Sequence, residues 1–412
     1  MPILSWRAFA RYGLIVSMSA KREKIKEHQL VGFKYFKAIS GLLEKLHGAG
    51  NPRDTAGNRK LHMDQFMSLL LLYMFNPICT SLRAIQQASE LQKVQHILGC
   101  SRASLGSLSE SARVFDSELM QEVIQGLSAQ LKPISSHAKL DELDGILTAV
   151  DGTLINAMSK MTWAMWKTEA NAVKAHTQFD LQKYVPVKMT ITEGNGNEKD
   201  VLAENLEAGR IYVKDRGYAS FALFQQILDN HSSFVCRLKD NSVYECLEEF
   251  KLTPDAVAAG IVFDKKVRLG SDGKTRNLLS VPVRVIAIKC TPHKKRYKTG
   301  HGGPEQGETL LIATDRFDLE ADVIALIFQH RWAVEIFFRF FKHVLGCRHL
   351  LSYDRNGIEL QTYAAIIACM LIALWTGRRP TLRTYEMLCW YFTGMASAEE
   401  LQAHIARLQK QE

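Results

Sequence analysis

Apolar residues recur at helical spacing through the first third of the chain and at strand spacing through the middle. Residues 30–46 keep the helical spacing and stop before Gly48, a plausible helix end. Residues 48–60 (GAGNPRDTAGNRK) have the composition of a linker. Met63 to Phe75 is strongly apolar, which predicts a buried helix. From residue 145 the period shortens. Residues 146–150 form a β-type run ending at Asp151-Gly152-Thr153, and 185–191, 211–213 and 233–238 are further strand candidates, with a helix over 219–228. Strands alternating with helices predict an α/β layer. Residues 260–315 read as β-rich, with strands near 281–288 and 309–313, and after residue 319 the pattern is helical to the end. The pattern divides the chain into an all-helical N-terminal domain (1–138), an α/β core (139–350) interrupted by a β-rich insertion (241–315), and a helical C-terminal region (351–412).

With 412 residues, two or three domains are expected, and 47% hydrophobic with 23% charged residues is a globular composition. Eight cysteines are scattered without a C-x-x-C pair. That spacing argues for reduced thiols in a cytoplasmic protein rather than a disulfide framework or a zinc site. The longest apolar run, residues 363–375, has 13 residues, where a membrane span needs about 20. No membrane partner is expected.

The net charge of +9 is unevenly placed. Residues 264–298 hold eleven Lys or Arg against two Asp, an excess of nine, so the rest of the chain sums to about zero. Two clusters carry it: Lys265, Lys266, Arg268, Lys274 and Arg276, then Lys294, Lys295, Arg296 and Lys298. A charge run of this kind is either a solvated loop or a surface for a polyanion such as DNA. Residues 91–114 offer a second candidate contact. A helix through Val94 and Ile97 meets Gly99, and a second opens at Arg102, with Leu105, Leu108 and Ala112 inward and Arg102, Ser104 and Ser107 outward. The arrangement suits a DNA-reading helix-turn-helix or an ordinary packed hairpin of helices.

Three carboxylates stand out. Asp151 closes one apolar strand and Asp215 follows another, and strand ends in α/β sheets face the ligand crevice. Singly, each is equally a turn or capping aspartate. The third, Glu335, lies on a helix crowded with Trp332, Phe337, Phe338, Phe340 and Phe341. At 100° per residue, positions 328, 331, 335 and 342 fall within about 60° of one another, which gives one polar stripe of Arg331, Glu335 and Lys342. An intrahelical Arg331–Glu335 pair is the plain alternative; burial among so many rings argues for a site, because unpaired buried charge is costly.

The spacing Phe328-x2-Arg331-x3-Glu335-x6-Lys342 resembles the Tyr-x2-Arg-x3-Glu-x6-Lys signature of the type-four insertion-sequence transposases. Asp151-Gly152-Thr153 and Asp215-Arg216-Gly217-Tyr218 look like that family's two aspartate motifs, and the 120-residue interval from Asp215 to Glu335 resembles its β-strand insertion. The resemblance covers roughly residues 140–376. It implies a ribonuclease-H-like core of the DDE class, with Asp151, Asp215 and Glu335 as catalytic metal ligands for two Mg²⁺ ions, Mn²⁺ being a possible substitute. Arg331 and Lys342 would bind phosphate beside the scissile bond. Phosphodiester hydrolysis and strand transfer each need an activated oxygen and a stabilised leaving oxygen, which two hard cations on carboxylates supply. The implied function is cut-and-paste DNA transposition. Implied partners are double-stranded DNA, as terminal inverted repeats and target, and a second copy of the chain on synapsed ends. The setting would be the cytoplasm, with the protein on nucleoid DNA when bound. Beside that implication, Lys265, Lys266, Arg268, Lys294, Lys295 and Arg296 read as DNA contacts.

Two features depart from the family pattern. Phe328 stands where the signature has tyrosine, and residues 241–315 contain no tryptophan that could stack a flipped base, Phe263 and Tyr297 being the nearest substitutes. Competing readings are a catalytically inactive, transposase-derived DNA-binding protein and a ribonuclease-H-like nuclease without strand transfer.

Overall fold

The computed structural model describes residues 43–48, 53–55, 57–134, 137–167, 170–270, 279–289 and 309–409. The expected helix over 30–46 lies mostly outside them; only a 3₁₀ turn, Glu44–Leu46, is described there. The strands are β1 Ile146–Asn156, β2 Met165–Lys167, β3 Ala170–Asp180, β4 Val185–Glu193, β5 Arg210–Lys214, β6 Ser233–Arg237, β7 Tyr244–Glu249, β8 Ile261–Leu269, β9 Val283–Lys289 and β10 Thr309–Thr314. Helices before the sheet are α1 Met63–Phe75, α2 Leu82–Ala88, α3 Gln92–Leu98, α4 Leu105–Val114 and α5 Met120–Gln130. Within and after it come α6 Glu198–Glu204, α7 Phe221–Asp229, α8 Ala321–His330, α9 Ala333–Arg339, α10 Arg355–Thr376, α11 Leu382–Phe392 and α12 Ala398–Gln409. Two compact units divide the described chain. Of the described residues, the first takes those within 137–151 and 197–333, and the second those within 43–134, 152–196 and 334–409, so that β1 contributes to both.

In the first unit, β1 runs parallel to β5 and β5 parallel to β6. Ile211, Tyr212, Val213, Phe234, Val235 and Cys236 are all buried, the unbroken apolar run of strands covered on both faces. The strands that follow do not form a sheet of their own. β10 pairs antiparallel with β6, and β9, β8 and β7 add to it in turn, giving the order β1-β5-β6-β10-β9-β8-β7. The insertion therefore extends the sheet. A buried ion pair ties its strands together: Arg284 Nε donates to Asp264 Oδ1 at 2.8 Å, the side chains being 7% and 4% exposed. Arg284 also donates to the carbonyls of Arg316 and Leu319.

The second unit is built on α10. This 22-residue helix is long and apolar enough to cross a membrane by length and composition, yet nearly all of its apolar stretch is buried within the protein. It packs against α1, α4, α5 and β4. Its first turn is held by Asn356, whose Nδ2 donates to the carbonyls of Ala112 (2.8 Å) and Phe115 (2.6 Å). α1 is buried along most of its length, as its composition predicts, and opens with a capping box in which the His62 N–H donates to Gln65 Oε1 at 3.1 Å.

Three expectations need correction. β3 pairs with β4 over eight positions but gives no strand signal, because it carries Lys174, His176, Gln178 and Asp180. Long-range pairing, not propensity, makes it a strand. Asp151 does not close its strand, since β1 continues to Asn156. The helix expected across 328–342 is interrupted at Arg331–Trp332, resumes as α9, and ends in a π-helical turn over Phe340–Val344.

The buried pair gives a direct test of the sheet extension. Asp264→Ala strands the Arg284 guanidinium in the interior and should cost about 3–5 kcal/mol of stability, measured as a lowered urea midpoint. A loss below about 1 kcal/mol would mean that Arg284 finds other partners and that the pair does not fasten the insertion.

Candidate active site

The register of β1 against β5 builds the site. Val150 pairs with Lys214, so the next residues, Asp151 and Asp215, are neighbours on adjacent parallel strands about 4.8 Å apart. β5 ends at Lys214 while β1 continues. The two aspartates thus mark the point where the parallel pairing stops. Asp215 has extended backbone (φ −82°, ψ 171°) and leads into the turn Arg216–Tyr218. Its carbonyl accepts a weak hydrogen bond from the buried Cys236 thiol at 3.6 Å. Burial pushes that thiol up to about 12, which keeps it protonated.

Side chains alternate along a strand, so Lys214 points away from Asp215. Its ammonium is fully buried, 4.7 Å from the Phe224 ring centroid and 5.4 Å from that of Phe234, with no hydrogen bond among the described residues. The two rings stack at 4.2 Å. Burial lowers this lysine to about 8, opposed by Cys236 and Asp315.

On the aspartate side, Arg331 Nη1 lies 3.5 Å from Asp151 Oδ2, the arginine buried and the aspartate 24% exposed. Arg331 ends α8, and its guanidinium sits 5.9 Å from the Phe328 ring. Tyr218 completes this group. Burial pushes its hydroxyl well above the ordinary tyrosine value, and the charges acting on it are those of Glu198, Asp151, Arg331 and Asp215. The structure therefore brings together Asp151, Asp215, Arg331, Tyr218 and Glu198 in the first unit. Glu335 and Lys342 belong to the second. Glu335 is half-buried in the first turn of α9, and Lys342 is a half-buried member of the π-helical turn, its ammonium lowered by burial. The buried rings of Phe337, Phe338, Phe340 and Phe341 surround this segment as expected.

The carboxylates are the hard oxygen donors that Mg²⁺ prefers, so the residue types suit such an ion although their placement does not by itself form a cage. Among the described residues no three His, Cys, Asp or Glu side chains lie close enough together to hold one.

The basic residues are less free than their sequence suggests. Lys265 pairs with Glu249 at 3.4 Å and Arg268 with Glu245 at 3.1 Å, both acids on β7, while Lys266 lies over Phe317. Lys294, Lys295 and Arg296 lie outside the described residues, as do Lys274, Arg276 and Tyr297. The helix-turn-helix candidate also shifts. Gly99 does end α3 in the left-handed conformation (φ 61°), but the second helix starts at Leu105, not Arg102. Ser104 caps it, accepting from the Ser107 N–H at 3.0 Å. Arg102 pairs with Glu90 at 3.0 Å, Leu108 and Ala112 are buried as expected, and Leu105 is 38% exposed instead of inward.

The family model for the transposase DDE domain matches residues 142–371, which is 230 of 412 residues. The chain belongs to the DDE transposase family. Both strand aspartates, Arg331, Glu335 and Lys342 fall inside the matched region. Among curated relatives, a protein of Sinorhizobium fredii named as a transposase, y4zB, is 26% identical over 56% of this chain and 60% of its own length. A protein named as a transposase for the insertion sequence element IS5377 of Geobacillus stearothermophilus is 26% identical over 55% of each chain. One named for the element IS4SA of Synechocystis is 22% identical over 75% of this chain and 81% of its own. The chain thus spans under two thirds of the length of the first two relatives. A piggyBac transposase synaptic complex with hairpin DNA overlays 91% of this chain and 83% of that one, at 10% identity and a TM-score of 0.41.

The sequence alone assigned no role to Lys214, Glu198 or Tyr218. Tyr218 was visible as the last residue of the second aspartate motif; Lys214 and Glu198 carried no signal without the fold.

Adjacent like charges are destabilising by roughly 0.2–1 kcal/mol across strands. Asp151 has Arg331 beside it, so relief should come from the other member. Asp215→Asn should raise the urea midpoint of the free protein, and a lowered midpoint would mean that Asp215 is held by favourable contacts and not by the backbone alone.

Proposed function

We propose that this chain is a cut-and-paste DNA transposase that cleaves and rejoins phosphodiesters at the ends of its element. The observation that carries this reading is the β1–β5 register, which sets Asp151 beside Asp215 within the family-matched region. Two Mg²⁺ ions, or Mn²⁺ in their place, held by Asp151, Asp215 and Glu335, would activate the attacking oxygen and stabilise the leaving one. Arg331 and Lys342 bind the phosphate beside the scissile bond. The Arg331 guanidinium stays charged and presents paired donors that match phosphate oxygens, and its contact with Asp151 keeps it aimed at the strand ends before DNA arrives.

A ribonuclease-H-like core is the fold we propose. It is supported by the succession β1, β3, β4 followed by β5 and β6, the last two running in parallel with β1 and joined through α7. The substrates on this reading are duplex terminal repeats and target DNA, engaged by a homodimer at synapsis, in the cytoplasm. Lys266, with Lys294, Lys295 and Arg296, extends the contact along the backbone. Lys265 and Arg268 join it by exchanging Glu249 and Glu245 for phosphate. Arg102 and Ser107 are left to read the element's end.

Labelled terminal-repeat DNA incubated with Mg²⁺ tests the reading. Wild type should release cut ends and form joined products, whereas Asp151→Ala, Asp215→Ala and Glu335→Ala should bind DNA without cutting it. Cleavage retained by one variant removes that residue from the site, and wild-type cutting without joining favours a nuclease. Charge reversal at Lys294, Lys295 and Arg296 should lower the log–log salt slope of binding by about 0.9 per lost phosphate contact.

A further inference from the structure

The row that sets Asp151 beside Asp215 has a third member. β6 is the next parallel strand, and its Cys236 pairs with Lys214 on one side as Val150 does on the other. The residue after Cys236 is Arg237, the last of β6. Asp151, Asp215 and Arg237 therefore stand at one level on three parallel strands, spaced about 4.8 Å apart. Alternation fixes the face they share. Val150, Tyr212, Phe234 and Cys236 join the core on one side of the sheet, so the residues one step on point to the other.

Arg237 is poorly matched for so buried a cation. It is 8% exposed, and its Nε has no hydrogen-bond partner among the described residues. The one carboxylate within ion-pair distance there is that of Asp240, whose Oδ1 lies 3.6 Å from Nη2. Arg216, in the turn after Asp215, draws on the same group, with Nη1 3.5 Å from Oδ2. Both contacts are longer than the roughly 2.7–2.9 Å of a charge-assisted hydrogen bond. Asp240 itself is 57% exposed, in a turn closed by the Ser242 N–H on the Lys239 carbonyl at 3.0 Å. Arg284 shows the alternative: equally buried, it meets Asp264 at 2.8 Å and two carbonyls besides. Two guanidiniums on one loosely held, exposed carboxylate leave positive charge and unused donors at the aspartate end of the sheet. A buried cation in that state gains from an added anion, and the oxygens of a phosphodiester match guanidinium donors in pairs.

We propose that Arg237 and Arg216 form a clamp for a DNA backbone phosphate next to the scissile one, and that the Asp240 carboxylate fills the clamp until DNA displaces it. The assignment rests on the phosphodiester reading, which is what brings DNA to these strand ends. The two aspartates then lie between two buried arginines, Arg331 beside Asp151 and Arg237 beyond Asp215. The DNA strand is held on both sides of the bond being cut. An ion pair that merely fastens the turn would involve the same three residues, but it predicts a different sign for Asp240.

Binding of the full chain to terminal-repeat duplex, without divalent metal and over a salt series, reads that sign. Asp240→Asn should tighten binding roughly two- to fivefold, the worth of the exposed pair that DNA no longer has to break. Arg237→Gln should weaken it roughly tenfold and lower the log–log salt slope by about 0.9. Arg216→Gln should shift affinity and slope in the same direction. An unrelated duplex should lose as much, because phosphate carries no sequence. If the pair only fastens the turn, Asp240→Asn and Arg237→Gln weaken binding together or leave it alone. Unchanged or weaker binding by Asp240→Asn overturns the clamp, and so does an unaltered slope in Arg216→Gln. Those two exposed positions carry the test even where Arg237→Gln does not fold. Cleavage in Mg²⁺ separates the two levels. Wild type that cuts the terminal repeat, beside variants that bind as wild type does, sinks the clamp alone. Wild type that cuts nothing sinks the phosphodiester reading and the clamp with it.

Discussion

Two carboxylates do not settle side by side of their own accord, and here the backbone ladder between β1 and β5 holds them there. The hydrogen bonds that pair Val150 with Lys214 leave Asp151 and Asp215 no other place to go. A slip of one residue would turn Asp215 into the core and bring Lys214 to the aspartate face, because the side-chain period is two. That slip is opposed from the far side of the sheet. The Lys214 ammonium lies against the stacked rings of Phe224 and Phe234, and aromatic faces favour a cation. Burying that charge has a cost, visible in its lowering to about 8, which the backbone ladder and the ring contacts offset in keeping the acids in register.

The strands after β6 extend the same ladder outward, which changes how the basic segment reads. Counted along the sequence, residues 264–298 carry nine excess positive charges. Folded, β8 lies against β7, and Glu245 and Glu249 face Arg268 and Lys265 across the pair. The acids sit outside the counting window but inside the sheet. Exposed pairs of this sort are worth little, so they give way to phosphate readily, yet they lower the field that a bare count implies.

What was legible in the chain follows from the range of the interactions involved. α1, β4, β5 and β6 could be read because their own side chains are apolar at the right period. β3 could not, since its His176, Gln178 and Asp180 are buried by pairing with β4 and not by any local preference. The break at Arg331–Trp332 was equally hidden: the apolar and aromatic pattern continues across it, and only the backbone shows that α8 ends and α9 begins. The two strand aspartates and Arg331 were legible through motif spacing, which survives such breaks. Glu198 was not, because its meaning depends on what lies across the turn.

Two costly placements of the first unit meet at these two strand ends. On one face are adjacent carboxylates with Arg331 beside Asp151, and on the other an ammonium held only by ring faces. The Arg284 guanidinium of the insertion is by contrast matched, meeting Asp264 and two carbonyls. Native folds satisfy such groups almost everywhere, so the contrast is informative within a single chain. The interior has stability to spare at the insertion and spends it at Asp151 and Asp215, where a protein optimised for folding alone would place neither a second acid nor a buried, unbonded ammonium behind it.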